Sequence, residues 1–145
     1  MSIFAVIVTA TNICDNVVVW DDTLGPWTPP ADHYTAPIDG LSVGIGWHYD
    51  PATGVWVGPP SLTANFSPSP IFLTQGTSLL WETVNATEVT LSTNPSETFP
   101  ANGGLGYTPT ATGKFSVTVM ATGLAGSVST TASINVVATQ AELVI

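Results

Sequence analysis

The sequence contains very few positive charges. One lysine, Lys114, and no arginine stand against ten carboxylates in 145 residues, and the formal net charge is −9. Because phosphate backbones are bound through lysine and arginine side chains, this composition disfavours a nucleic-acid partner. It disfavours an anionic membrane surface for the same reason. Charged residues make up only 8% of the chain, against about a quarter in a typical domain, so its polar surface must come from Thr, Ser, Asn and backbone amides.

Cysteine and long apolar runs are also scarce. Cys14 is the sole cysteine, which excludes an intrachain disulfide and argues against a disulfide-stapled secreted scaffold. We expect Cys14 to be a small buried apolar residue, in preference to a reactive thiol. The apolar start of the chain lacks the basic region of a signal peptide, and no segment has the roughly 20 apolar residues that span a bilayer. We therefore interpret the start as a first strand and expect no membrane partner.

Catalytic side chains do not form a recognisable set. His33 and His48 are the only candidate histidine bases, and no nucleophile-elbow glycine frame surrounds a serine. Asp21 and Asp22 could supply the carboxylate pair of a glycoside hydrolase, but adjacent residues of a strand point to opposite faces, so the two would not converge. A solvated turn after Trp20 is therefore favoured. One cysteine and two distant histidines fit no zinc spacing. The sequence predicts no enzyme, no cofactor and no metal site, with an incidental Ca²⁺ on surface carboxylates as the alternative.

Alternating apolar residues predict short strands in the first part of the chain. Residues 3–11 alternate and residues 16–20 are β-branched, so the two segments predict an antiparallel hairpin across residues 12–15. Residues 24–31 contain three prolines, which remove amide donors, and predict an irregular loop. Residues 50–54, Asp-Pro-Ala-Thr-Gly, predict a type I turn closed by a left-handed glycine.

Four of the five tryptophans lie in this first part of the chain. Trp47 and Tyr49 would share one strand face, and Trp56 could meet that face across the turn. Since each aromatic side chain buries about 150 to 250 Å², a small module favours a clustered, largely buried set. An exposed platform on which sugar rings stack is the alternative. The candidate core or interface aromatics are Trp20, Trp27, Trp47, Tyr49 and Trp56.

A change in composition and strand pattern divides the chain into two parts. Residues 58–61 read Gly-Pro-Pro-Ser, and paired prolines stiffen a connection into an extended spacer. Beyond them, short alternating segments are separated by Gly, Pro, Asn or Ser, which is the pattern of a β-sandwich with Greek-key connections. The predicted strands are 62–67, 71–73, 77–82, 88–92, 106–109, 113–122 and 128–137. The predicted organisation is a small β module at 1–58, a sandwich at 62–138 and a tail at 139–145.

The tail ends in an apolar, β-prone sequence. Leu143, Val144 and Ile145 follow the last charge, Glu142. A frayed end is the simplest expectation for residues beyond the last predicted strand. The alternative is that these three residues dock by strand addition, on their own domain or on a neighbour's sheet edge.

Three phrases of the first part occur in a fixed order. They are Asn16-Val-Val-Val-Trp20-Asp-Asp, Trp27-Thr-Pro-Pro30 and Gly44-Ile-Gly-Trp47-His-Tyr-Asp50. In this order they resemble a small module of tail, fibre and decoration proteins of tailed bacteriophages. The resemblance covers roughly the first third of the chain, and it implies that the module attaches to a particle.

Phrases of the second part point to another family. Gln75-Gly-Thr-Ser-Leu-Leu-Trp81, Asn85-Ala-Thr-Glu-Val-Thr-Leu91 and Phe115-Ser-Val-Thr-Val-Met-Ala-Thr-Gly123 resemble a bacterial and phage immunoglobulin-like repeat. The chain departs from the repeat at Gly113-Lys-Phe115. The antibody-type cysteine pair is absent, so the resemblance implies that Trp81 packs against Val117, Val119 and Leu91 in place of a disulfide.

The two resemblances imply an all-β, non-enzymatic structural protein of a bacteriophage virion, most simply a capsid decoration (cement) protein. The implied partners are the major capsid protein, other virion proteins and further copies of the chain in a homo-oligomer. The implied location is the exterior surface of a virion made in the host cytoplasm. The alternative is a tail or fibre accessory protein that binds host-surface carbohydrate. A third hypothesis, a secreted bacterial adhesin fragment, is disfavoured because the sequence shows no signal peptide.

Overall fold

The computed structural model describes residues 1–138 and is almost entirely β-structure, which confirms the predicted all-β class. Within these residues no helix has the length and apolarity to cross a bilayer. The described chain divides into two compact units, one of residues 1–59, with which the turn 124–126 is grouped, and one of residues 60–123 and 127–138. The tail-docking candidates Leu143, Val144 and Ile145 lie outside the described residues.

The first unit contains five strands. They are β1 (Ser2–Val8), β2 (Cys14–Trp20), β3 (His33–Pro37), β4 (His48–Asp50) and β5 (Val55–Val57). β1 and β2 form the predicted antiparallel hairpin, and β3 pairs with the other edge of β1 to give the order β2-β1-β3. β4 and β5 pair across the predicted turn, where Gly54 has a φ of +74° and donates its N–H to the Asp50 carbonyl at 2.7 Å.

Alternation along β1 gives the three-stranded sheet two different faces. Ile3, Ala5 and Ile7 lie on one face and contribute to the core of the unit. Phe4 and Val6 lie on the opposite face, and the pairing register places every second residue of β2 and β3 on that side. We call this the outer face and define it by Phe4, Val6, Trp20, His33 and Thr35.

The second unit is a β-sandwich. Its strands are β6 (Ser61–Ser67), β7 (Ile71–Phe72), β8 (Thr77–Val84), β9 (Glu88–Leu91), β10 (Asn94–Phe99), β11 (Gly103–Tyr107), β12 (Gly113–Gly123) and β13 (Gly126–Val137). One sheet has the order β11-β8-β6 and the other β10-β9-β12-β13-β7. Both sheets contribute to one core, in which Trp81 lies with Leu91, Val117 and Val119. The indole N–H of Trp81 donates to the Pro100 carbonyl at 3.0 Å, so its polar atom is satisfied while the ring is buried.

Several strands differ from the sequence prediction. β3 and β10 are additional strands, and β2 begins at Cys14, inside the turn predicted at 12–15. β1 ends at Val8, before the end of the predicted segment 3–11, and β11 spans Gly103–Tyr107 where 106–109 was predicted. β10 contains Pro95, which cannot donate to a ladder, and the strand lies at the edge of its sheet, where such a residue is tolerated. Cys14 is 1% exposed and belongs to the core of the first unit, which confirms the predicted burial.

Candidate functional site

Trp27 lies at the outer face between two cavities of the first unit. The first has a volume of about 420 Å³, and we call it the aromatic cavity; it is lined by Phe4, Trp20, Asp22, Gly25, Pro26, Trp27 and Thr35. The second has a volume of about 290 Å³, and we call it the histidine cavity; it is lined by Val6, Asp15, Asn16, Trp27, Pro30 and His33. Two of the tryptophans predicted from the sequence are thus brought together, and both line an open cavity.

A tight turn after β2 builds one wall of the aromatic cavity. Asp21 precedes the 3-10 helix Asp22–Leu24. Its carboxylate accepts hydrogen bonds from the backbone N–H of Thr23 at 3.0 Å and from the Thr23 hydroxyl at 2.7 Å. This capping stabilises the short helix directly after Trp20, since it satisfies an amide that the helix leaves unpaired. Asp21 and Asp22 therefore lie in the turn predicted after Trp20, and the carboxylate of Asp21 has a capping role.

A hydrogen bond to the loop holds the indole of Trp20. Its Nε1–H donates to the carbonyl oxygen of Gly25 at 2.7 Å. Gly25 has a φ of +90°, a conformation that residues with a Cβ rarely adopt. Pro26 follows Gly25, and its ring restricts the backbone angle φ directly before Trp27. The Gly-Pro-Trp order signals a turn, but it does not predict the hydrogen bond between the Trp20 indole and Gly25, although only five positions separate them.

Asp22 supplies the charge of the aromatic cavity. The Ser2 hydroxyl donates to Oδ2 of Asp22 at 2.8 Å, and the ammonium nitrogen of Met1 lies 3.3 Å from the same oxygen. The hydrogen bond from Ser2 and the neighbouring ammonium lower the pKa of Asp22. The cavity therefore presents an ionised carboxylate at neutral pH, beside three aromatic side chains.

His33 in the histidine cavity is hydrogen bonded through both ring nitrogens. Nδ1 lies 2.7 Å from the carbonyl oxygen of Ala31, and Nε2 lies 2.7 Å from Oδ2 of Asp15. A carbonyl and a carboxylate oxygen accept hydrogen bonds, so both contacts are satisfied together when both ring nitrogens carry a proton. The Ala31 carbonyl and the Asp15 carboxylate both raise the pKa of His33. In this arrangement His33 has no unprotonated nitrogen that could act as a general base.

The other candidate aromatics separate into a core group and an outlier. Tyr49 and Trp56 are directly paired across β4 and β5, with ring centroids 4.6 Å apart, and both pack against the core of the first unit. Tyr34, which the sequence did not single out, joins them with its ring 6.4 Å from that of Tyr49. Its hydroxyl donates to the side-chain oxygen of Asn12 at 2.8 Å. Trp47 is the outlier. It lies before β4 and is half-buried, and within residues 1–138 it belongs neither to this core group nor to the lining of the aromatic cavity.

The remaining candidates for chemistry are sequestered. Burial raises the pKa of the Cys14 thiol, which donates to the carbonyl of Asn16 at 3.1 Å. Nδ1 of His48 is buried and has no hydrogen-bond partner among the described residues. In the part of the chain that the structure describes, no group of three or more His, Cys, Asp or Glu side chains could hold a metal ion. The aromatic cavity is suited to binding a ligand through aromatic side chains and a carboxylate.

Comparison of the chain with protein-family models and with curated proteins finds no match. The resemblances to a phage tail or decoration module and to an immunoglobulin-like repeat therefore remain predictions. The strand order of the second unit, the net charge of the chain and the two cavities of the first unit are the observations that bear on function.

Proposed function

We propose that this protein is a non-enzymatic structural component of a bacteriophage particle, and that it acts as a capsid decoration protein. The observation that carries the proposal is the strand order of the second unit. Sheets of order β11-β8-β6 and β10-β9-β12-β13-β7 correspond to strands E-B-A and C′-C-F-G of an immunoglobulin-like sandwich, with β7 added beside the last strand. This order supports the immunoglobulin-like assignment that the sequence phrases imply.

The position of the phrases on the strands adds support. The phrase that ends at Trp81 lies on β8, the phrase that ends at Leu91 lies on β9, and the phrase that ends at Gly123 lies on β12. In the immunoglobulin-like correspondence these are strands B, C and F, which supply the centre of the core. The segments that resemble the repeat therefore all carry buried core residues.

In the proposed role, the first unit attaches to the capsid lattice and the sandwich projects or bridges between capsomers. The partners are the major capsid protein or other virion proteins together with further copies of the chain, on the exterior of a virion made in the host cytoplasm. A chain with one lysine and no arginine offers a partner its apolar surface, backbone groups and carboxylates. Any ion pair across the interface must use the partner's cations.

Labelling of phage particles tests the proposal. Antibodies raised against the purified chain should decorate the heads of intact particles, as seen by electron microscopy. Labelling confined to the tail would refute a decoration role and favour the accessory alternative. Absence of label from every part of the particle would refute a virion protein altogether.

The second candidate function is a tail or fibre accessory that binds host-surface carbohydrate. The observation that favours it is the open cavity lined by Trp20 and Trp27, because sugar rings stack on exposed aromatic faces. A glycan array probed with the purified chain separates the two candidates. Specific binding that is lost in Trp27→Ala and kept in Trp56→Phe would support the carbohydrate function.

A further inference from the structure

The aromatic cavity combines aromatic side chains with a negative charge. Phe4, Trp20 and Trp27 supply the rings, and Asp22 is the only titratable side chain in the lining. The face of an aromatic ring carries negative electrostatic potential, and cations bind within about 6 Å of the ring centre, best over tryptophan. A carboxylate beside such rings adds a charge-assisted hydrogen bond to the same ligand. Both features attract a positively charged group.

The lining has few polar groups for a sugar. Besides Asp22, it offers the Thr35 hydroxyl and the indole N–H of Trp27, since the Trp20 N–H donates to Gly25. A sugar ring carries hydroxyl groups around its whole edge, and each hydroxyl buried without a partner costs free energy. A lysine or arginine side chain instead has a long apolar stem with one polar end, which can lie along the rings and reach the carboxylate. The composition of the cavity favours the cation.

Asp22 is accessible to such a ligand. Its side chain is 55% exposed, and both of its contacts, to Ser2 and to the ammonium of Met1, use Oδ2. The net charge of −9 steers positive groups towards the protein. The Met1 ammonium already lies 3.3 Å from Oδ2, so a lysine or arginine side chain from another molecule would pair with Oδ1.

We propose that the aromatic cavity binds the side chain of an arginine or lysine of a partner protein, with the cationic end at Asp22 and the stem against Trp20 and Trp27. The identity of that partner as a particle protein rests on the proposed function, whereas the affinity of the cavity for a cation does not. The cavity would then be the point at which the first unit recognises its partner.

A pair of matched probes tests the cavity directly. N-acetyl-arginine methylamide is titrated into the ¹⁵N-labelled full chain, and N-acetyl-citrulline methylamide serves as its neutral isostere. We expect the arginine probe to shift the indole N–H signals of Trp20 and Trp27 saturably, and the citrulline probe to leave them in place. Asp22→Asn, which keeps an acceptor for Ser2, should weaken arginine binding by about two- to five-fold. Asp32→Asn makes the same change of charge outside the cavity and should bind as the parent does.

Three results would overturn the proposal: equal binding of both probes, equal affinity of Asp22→Asn and the parent chain, or the same indole shifts with a neutral oligosaccharide and none with arginine. The last of these would assign the cavity to carbohydrate. Attachment to particles separates this proposal from the proposed function. If the cavity binds arginine but the chain does not label particles, the proposed function fails and the cation site stands. If Asp22→Asn attaches to particles as well as the parent chain does, the role of the cavity in attachment fails.

Discussion

Replacement of Trp56 by alanine tests whether the aromatic cluster of the first unit is structural. Trp56 packs against the core of that unit, and its ring lies 4.6 Å from that of Tyr49. A buried Trp→Ala change costs about 3 to 5 kcal/mol, of which the ring pair accounts for about 0.5 to 1.5 kcal/mol. Because Trp56 is only partly buried, we expect the lower end of that range, about 3 kcal/mol.

This loss is large compared with the stability of so small a unit. A unit of about 60 residues has a total unfolding free energy of about 3 to 9 kcal/mol. Trp56→Ala should therefore unfold the first unit at low urea or in water, while the sandwich keeps its own transition. Trp56→Phe is the matched control, since it retains a ring against Tyr49, and it should cost about 1 to 2 kcal/mol less than the alanine variant.

Urea unfolding of the full chain, followed by amide hydrogen exchange, measures the two units separately. We expect the amides of β1 and β3 to lose protection in Trp56→Ala, and the amides of β12 to keep it. If Trp56→Ala retained parent-like protection in β1 and lost only binding to a sugar, the structural assignment of this residue would be wrong and the platform alternative would be favoured.

Three further predictions concern single side chains. Because the folded pKa of His33 is raised, its imidazolium stabilises the first unit below the unfolded value of about 6.5, and that contribution is lost as the pH rises through the folded pKa. Urea unfolding from pH 5.5 to 9 should show the loss, and Asp15→Asn should reduce it. Cys14 should react with a thiol reagent only after unfolding, so labelling as fast as that of a free thiol would contradict its burial. Trp81→Phe leaves the Pro100 carbonyl without its donor and should destabilise the sandwich by about 1 to 3 kcal/mol in thermal unfolding; an unchanged Tm would contradict the role of that bond.

Local signals explain the parts of the fold that the sequence predicts. The turn at residues 50–54 is determined by Asp, Pro and Gly within five residues, and the hairpin of β1 and β2 by alternation along adjacent segments. β3 depends on pairing with β1, which lies some 30 residues away in the sequence. The alternation of Tyr34, Ala36 and Ile38 was a signal that could have predicted it. β10 gave no such signal, because Pro95 normally excludes a strand and is tolerated only at an edge.

The candidate site was predictable only in part. Trp20 and Trp27 were identified as candidates, but their place beside one cavity depends on the turn capped by Asp21 and on the hydrogen bond from Trp20 to Gly25. The pair of His33 and Asp15 joins residues 18 positions apart through the register of β1 with β2 and β3. Such juxtapositions follow from tertiary pairing, which single-residue patterns do not encode.

Reconstruction of heads by electron cryomicroscopy tests the decoration role most directly. Purified chain is added to heads from a phage strain that lacks the gene, and the reconstructions with and without protein are subtracted. We predict added density at regular lattice positions on the outer surface of the head, with saturable occupancy and with a volume that accommodates both units of the chain. Heads without added density, after incubation with chain shown to be folded by its amide protection, would contradict the account.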